Sequence, residues 1–149
     1  LEAEMNAVMD AHYREDIPLK PGAAAYLHAL HRQGAHLCVA TATAEPLARA
    51  CLTRLGIAQD LEFILSCDEV QAGKDRPAVF LEAAQRLNAA PADIAAFEDA
   101  LYAARTAKEA GFYTVGVYDV HSDGHWAELS ALADETVSDW DAARSAIRL

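Results

Sequence analysis

Ile94-Ala95-Ala96-Phe97-Glu98-Asp99-Ala100 is an apolar run that ends in two adjacent carboxylates, and an alanine-rich pattern of helical spacing, residues 101–110, follows at once. The run has strand character, and in an open parallel α/β sheet ligands gather at the carboxyl ends of the strands. Glu98 and Asp99 delivered there suit a cation or a phosphate site. Carboxylate oxygens are the donors Mg²⁺ accepts, with water and substrate phosphate filling its other positions. The competing reading is plainer: acids are favoured at helix N-termini, so the pair could simply cap the next helix.

Working outward, strands are predicted over residues 35–41, 62–66, 94–99 and 113–117, with a small one at 135–138. They alternate with helices over 23–33, 44–55, 77–87, 101–110, 125–133 and 140–149. Strand and helix in alternation over more than a hundred residues mean an α/β fold, a three-layer Rossmann-like parallel sheet covered on both faces. Residues 1–16 carry Leu1, Met5, Val8, Met9 and Tyr13 at near-helical spacing and read as helix. Pro18 and Pro21 break that pattern, which makes 17–22 a hinge or linker and leaves 23–149 as the core domain.

Composition narrows the partners. At 149 residues and 53% hydrophobic, the chain suits one domain with a sizeable core. A formal net charge of −11 argues against a nucleic-acid or anionic-membrane surface. No apolar run approaches the roughly 20 residues that span a bilayer, and the first residues do not read as a signal sequence, so a soluble cytoplasmic protein is expected. Cys38, Cys51 and Cys67 are odd in number and dispersed, which favours buried thiols over disulfides or zinc. His121-Ser122-Asp123-Gly124-His125 has potential metal ligands, but its spacing fits no standard zinc motif and Asp-Gly signals a turn.

Three strand ends or their loops carry polar groups: Thr41-Ala42-Thr43, Gly73-Lys74 and Glu98-Asp99. Right-handed crossovers place successive strand ends on one edge of the sheet, so the three can converge. A hydroxyl with backbone N–H groups, a lysine and an acidic pair together make a phosphate cradle. Taken singly, Thr41 and Thr43 could cap the following helix and Lys74 could be a solvated loop lysine.

In that order, T-A-T, G-K-x-x-P and F-E-D-A resemble the second, third and fourth motifs of the haloacid dehalogenase superfamily, in its β-phosphoglucomutase-like branch. Leu19-Lys20-Pro21-Gly22, Leu55-Gly56-Ile57 and Ala107-Lys108-Glu109-Ala110-Gly111 match the flanks. The resemblance implies an Mg²⁺-dependent phosphohydrolase of a small phosphorylated metabolite, working through an aspartyl-phosphate, with a phosphomutase as the alternative. It also implies roles. Thr41 would hydrogen-bond the phosphoryl group, Ala42 and Thr43 would line its pocket, and Lys74 would neutralise phosphoryl charge. Glu98 and Asp99 would hold Mg²⁺, Asp99 most directly.

The chain departs from the family in two places. Gly73-Lys74-Asp75-Arg76-Pro77-Ala78 stands where the family usually reads G-K-P-x-P-D, which brings Arg76 into consideration as a substrate contact. The first motif, D-x-D-x-T, which supplies the nucleophile, occurs nowhere in the chain. Asp10, read as lying within a helix, Asp16 and Asp68 are not taken as substitutes. The expectation is therefore an incomplete core: the nucleophile and most of a helical cap upstream of Leu1, residues 1–16 as the last cap helix, and the central strand missing. On that expectation the chain alone is inactive, and the gap invites association with a partner or a second copy. If these residues are the whole protein, a non-catalytic phosphate- or Mg²⁺-binding module is the alternative. No G-x-G-x-x-G follows a strand, which disfavours a nicotinamide site.

Overall fold

The structure is a computed structural model that describes residues 6–9 and 20–147. Its strands are β1 (Asn6–Met9), β2 (Leu37–Thr41), β3 (Leu61–Ser66), β4 (Ile94–Glu98), β5 (Tyr113–Val117) and β6 (Glu135–Val137). They form one sheet of order β3-β2-β1-β4-β5-β6, with every pairing parallel. The helices are α1 (Ala23–Arg32), α2 (Glu45–Arg54), α3 (Cys67–Val70), α4 (Ala78–Arg86), α5 (Leu101–Glu109), α6 (Trp126–Leu132) and α7 (Trp140–Ser145).

Side-chain alternation along the strands builds two cores. Leu37 and Val39 of β2, with Ala95 and Phe97 of β4, join Tyr26, Leu27 and Leu30 of α1, Leu52 of α2 and Trp140 of α7. Cys38, Ala40, Ile94 and Ala96 face the other way and meet Val79, Phe80 and Ala83 of α4 and Ala103 and Ala107 of α5. Strands buried on both faces have no solvated side, which explains why β2 and β4 read as continuous apolar runs. The second core is alanine-rich, so α4 and α5 can approach the sheet closely. The three-layer α/β expectation is met.

The expected gap at the centre of the sheet is not there. Asn6–Met9, predicted as helix, is a strand seated between β2 and β4, with Met9 beside both Val39 and Phe97. Helical spacing in residues 1–16 is a weak local preference. Two flanking parallel strands offer a row of backbone donors and acceptors that a four-residue strand satisfies and a helix cannot. The ground for association through a gap goes with it. The rest of 1–16, and residues 17–19 of the hinge, lie outside the described residues.

Smaller differences have local causes. Leu47, in the first turn of α2, is 58% exposed although it is a large apolar residue. The four-residue α3 was not anticipated; Ser66 and Glu69 start it with a reciprocal capping box. Cys38, Cys51 and Cys67 are all buried, as expected. Among the described residues no helix is long and apolar enough to cross a membrane.

Gly22 precedes α1 at φ +83°, and a Cβ there would stand 3.1 Å from Trp140 Cβ and closer still to the Asp141 carboxylate. Left-handed backbone costs an L-residue about 1–2 kcal/mol before any contact is counted. Gly22→Ala is expected to lower unfolding stability by at least that amount in urea denaturation; an unchanged midpoint contradicts the packing of α7 onto the start of α1.

Candidate active site

The carboxyl edge of the sheet carries the chemistry. β2 and β4 flank β1, so their ends stand two strand spacings apart, roughly 10 Å. Thr41 lies two residues past Val39 and Asp99 two past Phe97, and both Val39 and Phe97 pair with Met9. The two ends therefore project equally beyond the central strand.

Neither helix takes its N-cap residue from the acids or threonines. The N-cap of α5 is Ala100, with no side-chain cap bond and no acid in the first turn, so neither Glu98 nor Asp99 is the N-cap residue. The N-cap of α2 is Ala44, again without a side-chain bond. Thr41 instead accepts the Thr43 N–H on Oγ1 at 3.0 Å, which curls the chain into a short turn before the helix begins. Thr41 is fully buried, Thr43 half-buried and Ala42 exposed.

Lys74 is not a solvated loop lysine. It is 2% exposed, and its Nζ donates to Glu98 Oε1 at 2.8 Å while lying 5.7 Å from the centre of the Phe80 ring. Glu98 is 1% exposed. The loop after α3 is thus folded over the end of β4, and two of the three sequence motifs meet in one ion pair. The desolvation of both charges is offset only because each faces the other at hydrogen-bond distance. Arg76 and Asp75 are exposed in the same turn, which the Arg76 N–H closes onto the Gly73 carbonyl at 3.1 Å. Arg76 is exposed beside the loop, outside the Lys74–Glu98 pair.

Two further features of this edge were not singled out from the sequence. Ser66 ends β3 level with Thr41, buried, accepting the Asp68 N–H on Oγ at 3.1 Å. Ser66-x-x-Glu69 is a capping-box pattern and was legible. Lys20 Nζ donates to Asp119 Oδ2 at 2.6 Å and so ties the segment before α1 to the turn after β5. Ninety-nine residues separate the pair, and no local signal announces it. In that turn Asp119 also accepts the His121 N–H, and Tyr118 Oη donates to Asp123 at 2.8 Å, so the His121–His125 segment is held by its own side chains.

Among the described residues no group of three or more His, Cys, Asp or Glu side chains is placed to hold a metal. Mg²⁺ needs only one or two carboxylates, and Asp99, half-buried at the strand end, has the required oxygen chemistry. Glu98 already gives one oxygen to Lys74.

The parallel α/β sheet gathers a hydroxyl, a buried lysine and a carboxylate at its carboxyl edge, the edge at which ligands of such sheets bind. Comparison makes the class specific: the profile of the haloacid dehalogenase-like hydrolases matches residues 3–111, and the chain belongs to that family. It is 35% identical over 118 residues to validoxylamine A 7′-phosphate phosphatase of Streptomyces hygroscopicus subsp. limoneus, covering 79% of this chain and 54% of that one. Over 66 residues, 44% of this chain and 29% of the relative, it is 42% identical to β-phosphoglucomutase of Bacillus subtilis (strain 168). The chain spans about half, or less, of the length of these curated relatives. Among solved structures, a hydrolase of the family from Deinococcus radiodurans R1, with bound phosphate and sodium, superposes with a TM-score of 0.77 at 26% identity, covering 87% of this chain and 58% of that one. β-Phosphoglucomutase from Clostridium difficile shares the fold at a TM-score of 0.69 and 24% identity, covering 82% and 51%.

Asp119 is held below the usual carboxylate range: burial pushes it upward, but the Lys20 hydrogen bond and the His121 N–H outweigh that and favour the charged form. A depressed folded pKa gives stability that is present above the unfolded value of about 3.9 and lost as pH falls through the folded one. Asp119→Asn is expected to lower the urea midpoint at pH 7, with the gap to wild type closing below pH 4. A gap that persists unchanged at pH 2–3 contradicts the ion pair as its cause.

Proposed function

We propose that this chain is the larger part of the core of an Mg²⁺-dependent phosphohydrolase acting on a small phosphorylated metabolite. The observation that carries this reading is the buried Lys74–Glu98 pair, set on the edge that also presents Thr41 and Asp99. Lys74 places a fixed positive charge in a dry setting, where it stabilises phosphoryl charge more strongly than a solvated lysine could. Glu98 orients that ammonium. Thr41, its oxygen already accepting from Thr43, donates to a phosphoryl oxygen, and the Ala42 and Thr43 backbone lines the same pocket. Arg76 reaches the substrate from the rim. Asp99 is the principal carboxylate for Mg²⁺, with Glu98 beside it; bound there, the ion neutralises charge on the phosphoryl oxygens.

The nucleophile is assigned to a D-x-D-x-T segment upstream of Leu1, since no such motif occurs in these residues and the curated relatives matched are about twice the length or more. Without it the chain turns nothing over. The seat of Asn6–Met9 favours a second reading for this one role: Asp10 follows the central strand directly in sequence, and the helical context that counted against it does not hold for its neighbours. Asp10 itself lies outside the described residues. Transfer to a second hydroxyl of the substrate, a mutase reaction, is the runner-up activity, favoured by the identity to β-phosphoglucomutase.

In the protein carrying its upstream segment, Asp99→Asn is expected to abolish Mg²⁺-dependent release of phosphate with the fold intact by circular dichroism. Lys74→Ala is expected to lower kcat by about 10²-fold or more, in line with removal of one charge-stabilising group. Wild-type rates in Asp99→Asn, or a Lys74→Ala change confined to KM, overturn the assignment. Phosphate release by the 149-residue chain that disappears in Asp10→Asn shifts the nucleophile to Asp10.

A further inference from the structure

The face of the sheet beneath α1 and α7 holds a cleft of about 400 Å³ that none of Thr41, Lys74, Glu98 or Asp99 lines. Its cause is compositional. The six-residue α7 and the turn after it present Ala142, Ala143 and Ala146 toward the sheet, and three methyl groups do not fill the space above Ala95 and Val115. A volume of this size, mostly apolar with a few polar groups, falls in the range of small-molecule sites.

The polar groups are of one kind. Glu135 lies at the cleft, its carboxylate steadied by the Tyr113 hydroxyl at 3.0 Å. The Tyr26 side chain also lines the cleft. That residue is 93% buried, and among the described residues its hydroxyl has no hydrogen-bond partner; its phenol is pushed up to about 12 by burial and then by the Glu135 charge. Asp139, the other carboxylate of the lining, is committed to capping α7 through the Asp141 and Ala142 N–H groups. Among the described residues no lysine, arginine or histidine lines the cleft. Tyr26 and Phe97 meet edge to face at 6.0 Å under the cleft, each also packed on Trp140 and almost wholly buried, so the open apolar surface is that of Ala142, Ala143, Ala146 and Ile147.

We propose that this cleft binds a small amphipathic organic cation, an amine with an aromatic or alkyl body, whose body packs against Ala142, Ala143, Ala146 and Ile147 and whose nitrogen meets Glu135. A carboxylate attracts an ammonium group, and among the described residues an anion has no basic side chain there to pair with. The site is separate from the carboxyl edge and does not depend on the phosphohydrolase reading.

Calorimetric titration of the 149-residue chain at pH 7 with phenethylamine, and with phenethyl alcohol as its uncharged counterpart, tests the assignment. One-to-one saturable binding of the amine is expected, at least tenfold weaker for the alcohol and at least tenfold weaker for the amine in Glu135→Gln. Glu135 is exposed, so that variant keeps the fold. Ala143→Leu, which fills the space, is expected to abolish binding. The proposal is overturned by no saturable binding of the amine, by equal affinity for amine and alcohol, or by undiminished binding in Glu135→Gln.

Discussion

The Lys74–Glu98 pair fixes both the fold at the carboxyl edge and the chemistry available there. Glu98 is the last residue of β4, which lies inside the sheet, and Lys74 belongs to a loop that would otherwise be free to swing over solvent. Once both charges are dry, removing either leaves the other uncompensated, a penalty of about 3–5 kcal/mol in comparable pairs. An apolar pair could close the same loop with less desolvation. That an ion pair stands here instead is what ties this edge to charge chemistry rather than to packing.

The rest of the edge follows from sheet register. Because β2 and β4 both pair with β1, their ends are held at equal height, with Thr41 and Asp99 at the edge on either side of the central strand. A turn anchored by Thr41 Oγ1, and not a helix cap, shapes one side of it. On the remote side the Lys20–Asp119 pair fastens the segment entering α1 to the turn leaving β5. The whole edge is thereby braced by contacts between residues far apart in sequence. Such contacts can hold groups in a fixed arrangement, which is most of what the phosphoryl transfer we propose would ask of a protein.

Elements with strong local signals were readable from the sequence. The apolar runs ending at Thr41 and Glu98 are buried on both faces, and the apolar face of α1 (Ala23, Tyr26, Leu27 and Leu30) is inside as its spacing predicts. Asn6–Met9 was misread because four residues are too few to separate strand from helix by periodicity, and the deciding hydrogen bonds come from β2 and β4. That Thr41, Lys74 and Glu98-Asp99 stand at strand ends or in the loops that follow them was legible from their order along the chain. Their pairing was not: nothing local says that Lys74 is buried or that Glu98, rather than Asp99, receives it. The cleft under α7 was equally hidden, since alanines on a helix read as core whether or not anything fills the space they leave.

The most direct measurement is a backbone amide chemical-shift titration of the 149-residue chain with inorganic phosphate, in the presence and absence of Mg²⁺. The account predicts saturable shifts clustered at Thr41–Thr43, Gly73–Arg76 and Glu98–Asp99, stronger when Mg²⁺ is present. Shifts scattered over the surface, or a response at those residues that ignores both phosphate and Mg²⁺, would contradict it.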